Sequence, residues 1–466
     1  MSKILLLNPP GSRPYLRDYY CSKVAKADYL YEPTDLLLLS GRLAEHYEVE
    51  VLDCIALGIQ GQEALKRIWA ARPDVIVFLS GAVSWHEDQL FLEKAKRVSG
   101  AILIGSGDLF LEGGAHILEQ HDFVDALLLD FTTADVLDYL KEGASDQPEN
   151  MIYRQNGSIV QGPLRRARNS TFEIPPPRHD LFPHHRYNYP TVKRPPFATV
   201  LTDYGCPYHC RFCVMGKLGY KVRPANNVLE ELAMLAQMGF REIYFNDQTF
   251  GVLRERTQAF CEGMRERHLQ FGWQAWTRVD LVDEQLLRMM GAAGCHTLLF
   301  GVETANEKTL KAQNKGYSLE QVWRAFTLCR RFGVRTMATF IIGLPGETEA
   351  DILRTIRFAL KLNPDFASFN LMVPRATTDV RKEALDKGWI EESHTSLDQS
   401  GTYPLMGNEH LSAEQVWHLK NKAVRRFYGR PRYWLQRVRG ITTINELGRN
   451  LRNGVHLARN LLFQYH

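Results

Sequence analysis

Ala198-Thr199-Val200-Leu201-Thr202-Asp203-Tyr204-Gly205-Cys206-Pro207-Tyr208-His209-Cys210-Arg211-Phe212-Cys213 is an apolar run that ends in a loop carrying three cysteines at C-x3-C-x2-C spacing. The run is short, rich in β-branched residues and closed by a glycine, which predicts a strand buried on both faces. Three thiols so close can wrap one metal centre. A structural zinc site wants four ligands, whereas an iron-sulfur cubane can leave one iron open. The competing reading is zinc with His209 as fourth ligand, against which His209 adjoins Cys210 and no second C-x2-C follows. Cys261, Cys295 and Cys329 fall in helical or helix-ending stretches and read as small buried hydrophobes.

Downstream of the triad, strand candidates recur at 242–245, 274–277, 297–301, 338–342 and 368–373, with helices between them. Val228, Leu232 and Leu235 repeat at helical spacing, and Ser318 with Gln321 and Thr348 with Asp351 form helix-start patterns. Residues 198–375 therefore predict a partial (β/α)6 barrel, whose chemistry belongs at the carboxyl ends of the strands. Upstream, apolar runs at 3–7, 49–53, 74–79, 101–105 and 126–129 alternate with helical patterns. Residues 1–140 thus predict a Rossmann-like, doubly wound α/β domain. A Pro-rich linker follows over 141–197, with a hairpin turning at Asn156-Gly157. The His184-His185 pair in it reads as surface.

Residues 376–466 predict a mostly helical region. From Lys420 onward it holds eleven Lys or Arg and one acid, Glu446. Leu447, Leu451, Val455 and Leu462, with Arg449, Arg452 and Arg459 between them, would either pack on the barrel or touch a membrane peripherally. The whole chain of 466 residues is 45% hydrophobic and 24% charged with net charge +4, values that exclude disordered, collagen-like and coiled-coil classes. No stretch approaches the ~18 uncharged apolar residues of a membrane span, so a cytoplasmic location is expected. No interleaved basic and aromatic strip argues for nucleic-acid binding.

The cysteine triad at the first strand of a predicted partial barrel resembles the radical S-adenosylmethionine (SAM) superfamily. The resemblance implies that Cys206, Cys210 and Cys213 hold a 4Fe-4S cluster whose open iron chelates SAM. Reductive cleavage then gives methionine and a 5'-deoxyadenosyl radical that takes a substrate hydrogen. By the same resemblance Phe212 packs beside adenine, Asp247 binds the SAM amino group, Arg278 the carboxylate and Glu303 the ribose hydroxyls, while the backbone at Gly343 approaches adenine. Competing readings are a helix cap for Asp247, an ion pair with Asp280 for Arg278 and a plain turn for Gly343.

Ile4-Leu5-Leu6-Leu7-Asn8-Pro9-Pro10, Val49 to Asp53 and Phe427 to Pro431 resemble the subgroup with an amino-terminal cobalamin-binding-type domain, which includes anaerobic magnesium-protoporphyrin cyclase and several methyltransferases. Cobalamin, where present, is expected against Ser80, Gly81, Gly105, Ser106 and Gly107. Departures stand at Gly105-Ser106-Gly107-Asp108 and Asp130-Phe131-Thr132-Thr133, and the alternative is a vestigial domain that shapes the substrate pocket. The expected reaction is cobalamin-dependent methyl transfer to a small-molecule, lipid-like substrate. A cobalamin-independent cyclisation, oxidation or rearrangement is the alternative, and a noncatalytic iron-sulfur protein a third. The resemblance implies flavodoxin or ferredoxin as reductant.

Overall fold

The computed structural model describes residues 2–26, 29–141, 148–166, 168–391, 397–439 and 448. Seven strands build the first sheet: β1 Lys3–Asn8, β2 Glu48–Asp53, β3 Val75–Leu79, β4 Ile102–Ser106, β5 Ala126–Leu128, β6 Met151–Gln155 and β7 Ser158–Gln161. They lie in the order β2-β1-β3-β4-β5-β6-β7, the first five parallel. Their near-continuous aliphatic runs follow from this: helices cover both faces, and every residue of β3 is buried. The order reverses between β1 and β3, the place where a doubly wound sheet opens a crevice beyond its strand ends.

The hairpin at Asn156-Gly157 forms, with both turn residues at positive φ (51° and 79°) as a tight two-residue turn requires. It is not part of the linker. β6 pairs antiparallel with β5, Leu127 opposite Ile152, so the hairpin extends the first sheet and the Pro-rich connection begins after it.

The barrel strands are β8 Ala198–Val200, β9 Glu242–Phe245, β10 Gly272–Thr277, β11 Cys295–Glu303, β12 Arg335–Ile342 and β13 Phe366–Leu371, all parallel and sequential. β11 and β12 start earlier than the apolar pattern shows because polar residues there find partners. His296 Nε2 meets Glu242 Oε1 at 2.6 Å, and Asp365 accepts from the Thr336 amide at 2.8 Å. Capping boxes close the helix starts at Ser318 and Thr348, and a third stands at Ser412. The helix Ala413–Tyr428 buries Val416, Trp417, Ala423 and Phe427 in the barrel core. Leu447, Leu451, Val455 and Leu462 lie outside the described residues. Among the described residues no helix is long and apolar enough to cross a membrane.

The 25-residue connection 9–33 after β1 runs between sheet and barrel. Tyr19 packs on Phe131 (4.9 Å between centroids) and on Tyr204 (5.4 Å), joining the first domain to the strand that carries the cysteines.

Candidate active site at the barrel mouth

The cysteine loop leaves the barrel through Gly205, where φ is +80° and an added Cβ would lie 1.9 Å from the Gly219 carbonyl oxygen. Only glycine closes this turn. The Cys206 amide then donates to Gly219 O (3.1 Å), the Cys213 amide to Cys210 O (3.1 Å) and Asn314 Nδ2 to His209 O (2.8 Å). The three thiols share the loop, Cys210 buried and the other two half-buried. The loop supplies three thiols where a structural zinc site wants four ligands, a donor set that suits a cluster with one open iron. His209 is exposed and takes no part. Burial pushes Cys213 up to about 12 and Cys206 upward, so a cationic centre is what would hold these groups as thiolates.

Phe212 and Glu303 share one cavity. β11 slips register between Gly301 and Glu303, and Glu303 sits at φ +65°, a bulge that re-aims its side chain. Lys315 Nζ, 2.7 Å from the Glu303 carboxylate and 5.5 Å from the Phe212 ring, joins the two. Arg278 takes the competing role: it binds Asp280 through two nitrogens (3.0 and 2.9 Å), donates to Lys315 O (2.8 Å) and stacks 3.7 Å over Tyr208. It braces the cysteine loop instead of facing the cavity with a free fork.

Asp247 is likewise turned inward. Its oxygens accept from the Thr202 amide (2.6 Å), the Thr202 hydroxyl (2.7 Å) and the Asp203 amide (3.1 Å), anchoring the strand end before the cysteines. Gly343 faces the helix Ala413–Tyr428, where an added Cβ would meet Val416 at 2.4 Å. Lys315 and Thr249 were not legible as site residues. Thr249 Oγ1 lies 3.4 Å from Cys206 Sγ, and neither residue belongs to a recognisable motif.

The cavity, of about 360 Å³, runs from Phe212 and Glu303 along the barrel interior to the 20–31 segment of the interdomain connection. Tyr31, Tyr189, Tyr244, Trp276 and Phe369 give it aromatic walls. Tyr189 stacks on Tyr244 at 4.7 Å, and Trp276 Nε1 donates to the Tyr244 hydroxyl (2.9 Å). Lys23 enters the same cavity, 6.0 Å from the ring centres of Tyr20 and Tyr31.

The five positions expected to meet a corrin line no such space. Ser80 Oγ donates to Asp88, which is paired at 2.6 Å with Arg17 inside the crevice, both side chains fully buried. An added Cβ on Gly81 would sit 2.4 Å from Ser22, on Gly105 2.8 Å from Phe78, and on Gly107 1.9 Å from Ser80 O. Ser106 Oγ donates to Asp35 (2.8 Å). Next to them Asp108 accepts from the Ser22 amide (2.7 Å) and pairs with Arg375 (3.2 Å), while Asp130 pairs with Lys221 at 2.5 Å. Two further cavities along this seam, about 150 and 100 Å³, fall below the ~300–1,000 Å³ of ligand pockets. At these five positions the chain's own residues close on one another.

Residues 200–359 match the radical SAM superfamily. An uncharacterized methyltransferase of Pyrococcus horikoshii is 28% identical over 427 residues, 87% of this chain and 90% of its own length. The anaerobic magnesium-protoporphyrin IX monomethyl ester cyclase of Rubrivivax gelatinosus is 26% identical over 402 residues, 80% of this chain and 70% of the cyclase. Among solved structures, the radical SAM methyltransferase TsrM of Kitasatospora setae, with cobalamin and a 4Fe-4S cluster bound, superposes with TM-score 0.72 at 18% identity over 99% of each chain. The cobalamin-dependent radical enzyme OxsB superposes with TM-score 0.69 at 15% identity, over 99% of this chain and 72% of that one. These two likenesses concern the fold.

Proposed function

We propose, from the premise that this chain is a radical SAM enzyme with its domain at residues 200–359, that it abstracts a hydrogen from an apolar substrate bearing an anionic group, without a corrin. The observation that carries this reading is the single cavity joining Phe212 and Glu303 beside the cysteine loop to Lys23 at the interdomain connection. Cys206, Cys210 and Cys213 would hold the 4Fe-4S cluster, three thiols leaving one iron open to SAM. When bound, the cluster supplies the electron that splits SAM into methionine and the 5'-deoxyadenosyl radical. Glu303 would accept from the ribose hydroxyls, with Lys315 holding its carboxylate in position and Phe212 beside the adenine. Aromatic walls exclude water and hold an apolar body. Lys23 makes no salt bridge among the described residues and offers a cation to the substrate.

The Rubrivivax relative is named for a planar macrocycle ester, a substrate of this general chemistry. Cyclisation, oxidation or rearrangement follows the abstraction in this reading, with flavodoxin or ferredoxin as reductant. Cobalamin-dependent methyl transfer is the second reading, favoured by the methyltransferase relatives and by folds shared with TsrM and OxsB. The crevice packing does not fit it. Anaerobic reconstitution with dithionite and SAM should give 5'-deoxyadenosine. The Cys206→Ala variant should give none, and equal yield from that variant would overturn the assignment. For the substrate, apolar carboxylates should accelerate SAM cleavage over their neutral amides, an advantage lost in Lys23→Met.

A further inference from the structure

Away from the barrel mouth, the interdomain connection and the Pro-rich linker bring together Glu32, His179 and His184, whose donor atoms all lie within 4.8 Å. We infer that these three residues form a divalent-metal site, filled by zinc, that clamps the connection and the linker to the barrel.

The argument begins with protons. His184 Nε2 is hydrogen-bonded to the carbonyl oxygen of His179. A carbonyl has no proton to give, so Nε2 donates and Nδ1 carries a lone pair. That Nδ1 is buried without a hydrogen-bond partner, 3.3 Å from Glu32 Oε1. Two acceptors thus face each other in a dry site with no donor between them.

His179 Nδ1 lies 3.2 Å from the same Glu32 oxygen. Ligands held by bonds of ~2.0–2.1 Å around a tetrahedral ion sit roughly 3.3 Å apart, which is the spacing of the Glu32 oxygen from both nitrogens. The outer atoms are arranged as metal-bound histidines require. His179 Nε2 meets Glu231 Oε1 at 2.9 Å, Glu231 is paired with Arg223 at 2.6 Å, and His184 Nε2 donates to a carbonyl. A charged His179 between two glutamates, the other arrangement open to it, leaves His184 Nδ1 as stranded as before. Glu32 and His179 are fully buried and His184 is 14% exposed, so any opening to solvent lies at His184. Two nitrogens and one oxygen suit zinc, with its fourth position open to water. His185, next in the chain, is exposed and stays the surface residue the sequence suggests.

The test is metal counting on full-length protein lacking the cluster ligands, with Cys206, Cys210 and Cys213 all changed to Ala. After loading with zinc chloride and desalting, about one zinc per chain should remain. Cobalt(II) in its place should give visible d–d bands without thiolate charge transfer. Adding His184→Ala or Glu32→Gln should remove the metal, and His185→Ala should not. No retained zinc or cobalt in the triple variant overturns the site, as does full retention after His184→Ala. Should the triple variant aggregate, zinc counted on the wild-type holoenzyme decides: about one per chain, beyond the cluster iron, supports the site, and none overturns it.

Discussion

At the scale of single residues, the decisive question at each strand end is where a polar side chain spends its hydrogen bonds. Asp247 accepts three from Thr202 and Asp203, so it positions the cysteine strand. Asp247→Asn keeps an oxygen on the two backbone amides but makes their charge-assisted bonds neutral, at a cost of about 1 kcal/mol. The melting temperature should fall accordingly while the SAM dissociation constant of the folded fraction stays within twofold. Glu303→Gln should do the reverse, raising that constant roughly tenfold, because charge-assisted hydrogen bonds contribute about 1.5–3 kcal/mol; equilibrium dialysis with SAM separates the two cases. Glu347 adds a pH dependence. It accepts from Thr304 Oγ1 (2.7 Å) and the Leu344 amide (3.1 Å), yet burial raises it to about 7 from an ordinary value near 4.5. A carboxyl raised on folding stabilises fully below its unfolded value and loses that contribution as pH climbs through the folded one. Stability should therefore decline by about 3 kcal/mol between pH 4.5 and 7 on this account. Glu347→Gln should flatten that decline in urea unfolding midpoints. Residue type and strand-end position were legible in the sequence for Phe212, Glu303, Asp247 and Arg278 alike. Side-chain direction was not, because partners such as Thr202 and Asp280 compete for the same groups.

At the scale of elements, strands read well because both sheets bury two faces and their apolar runs stand out. Boundaries moved where polar residues found partners, as at His296 and Thr336, and the hairpin at Asn156 was legible as a turn but not in its pairing with β5. The loop after β12 illustrates a glycine whose meaning changes with its neighbours. The sequence of Gly343 to Glu347 allows either close approach to a ligand or a simple turn, and the structure answers with φ +86° and a helix packed against Gly343. Gly343→Ala should cost about 1–3 kcal/mol from the left-handed backbone alone. The contact with Val416 adds to this. Val416→Ala in the same chain should recover only the added part, so a double-mutant cycle in urea unfolding measures both. Full recovery would mean that the helix, not the backbone conformation, dictates the glycine.

At the scale of the whole molecule, the two α/β units are joined by a seam whose occupants decide the chemistry. In the first unit the crevice beyond the β-strand ends is the natural place for a nucleotide-like tail, and here Arg17 and Asp88 occupy it as a fully buried pair. Removing one partner of such a pair leaves an uncompensated charge and costs about 3–5 kcal/mol. Asp88→Ala should thus unfold the first domain at markedly lower denaturant, an effect that a pair lining a ligand-filled, solvated pocket would not show. Around the pair, Ser22 binds Asp108, Asp108 binds Arg375 from the loop after β13, and Lys221 binds Asp130. The departures visible in the sequence at Gly105 to Asp108 and at Asp130 to Thr133 are the positions that make these closures. Their partners Ser22, Lys221 and Arg375 lie 86, 91 and 267 residues away in the chain. No local pattern announces pairings of that range. Protein purified without oxygen from cobalamin-fed cells should accordingly contain cluster iron but no stoichiometric corrin, read as an absent corrin spectrum after the cluster is removed. A corrin bound at one per chain would mean that the Arg17–Asp88 pair opens to admit it, and the seam would then be a gate and not a wall.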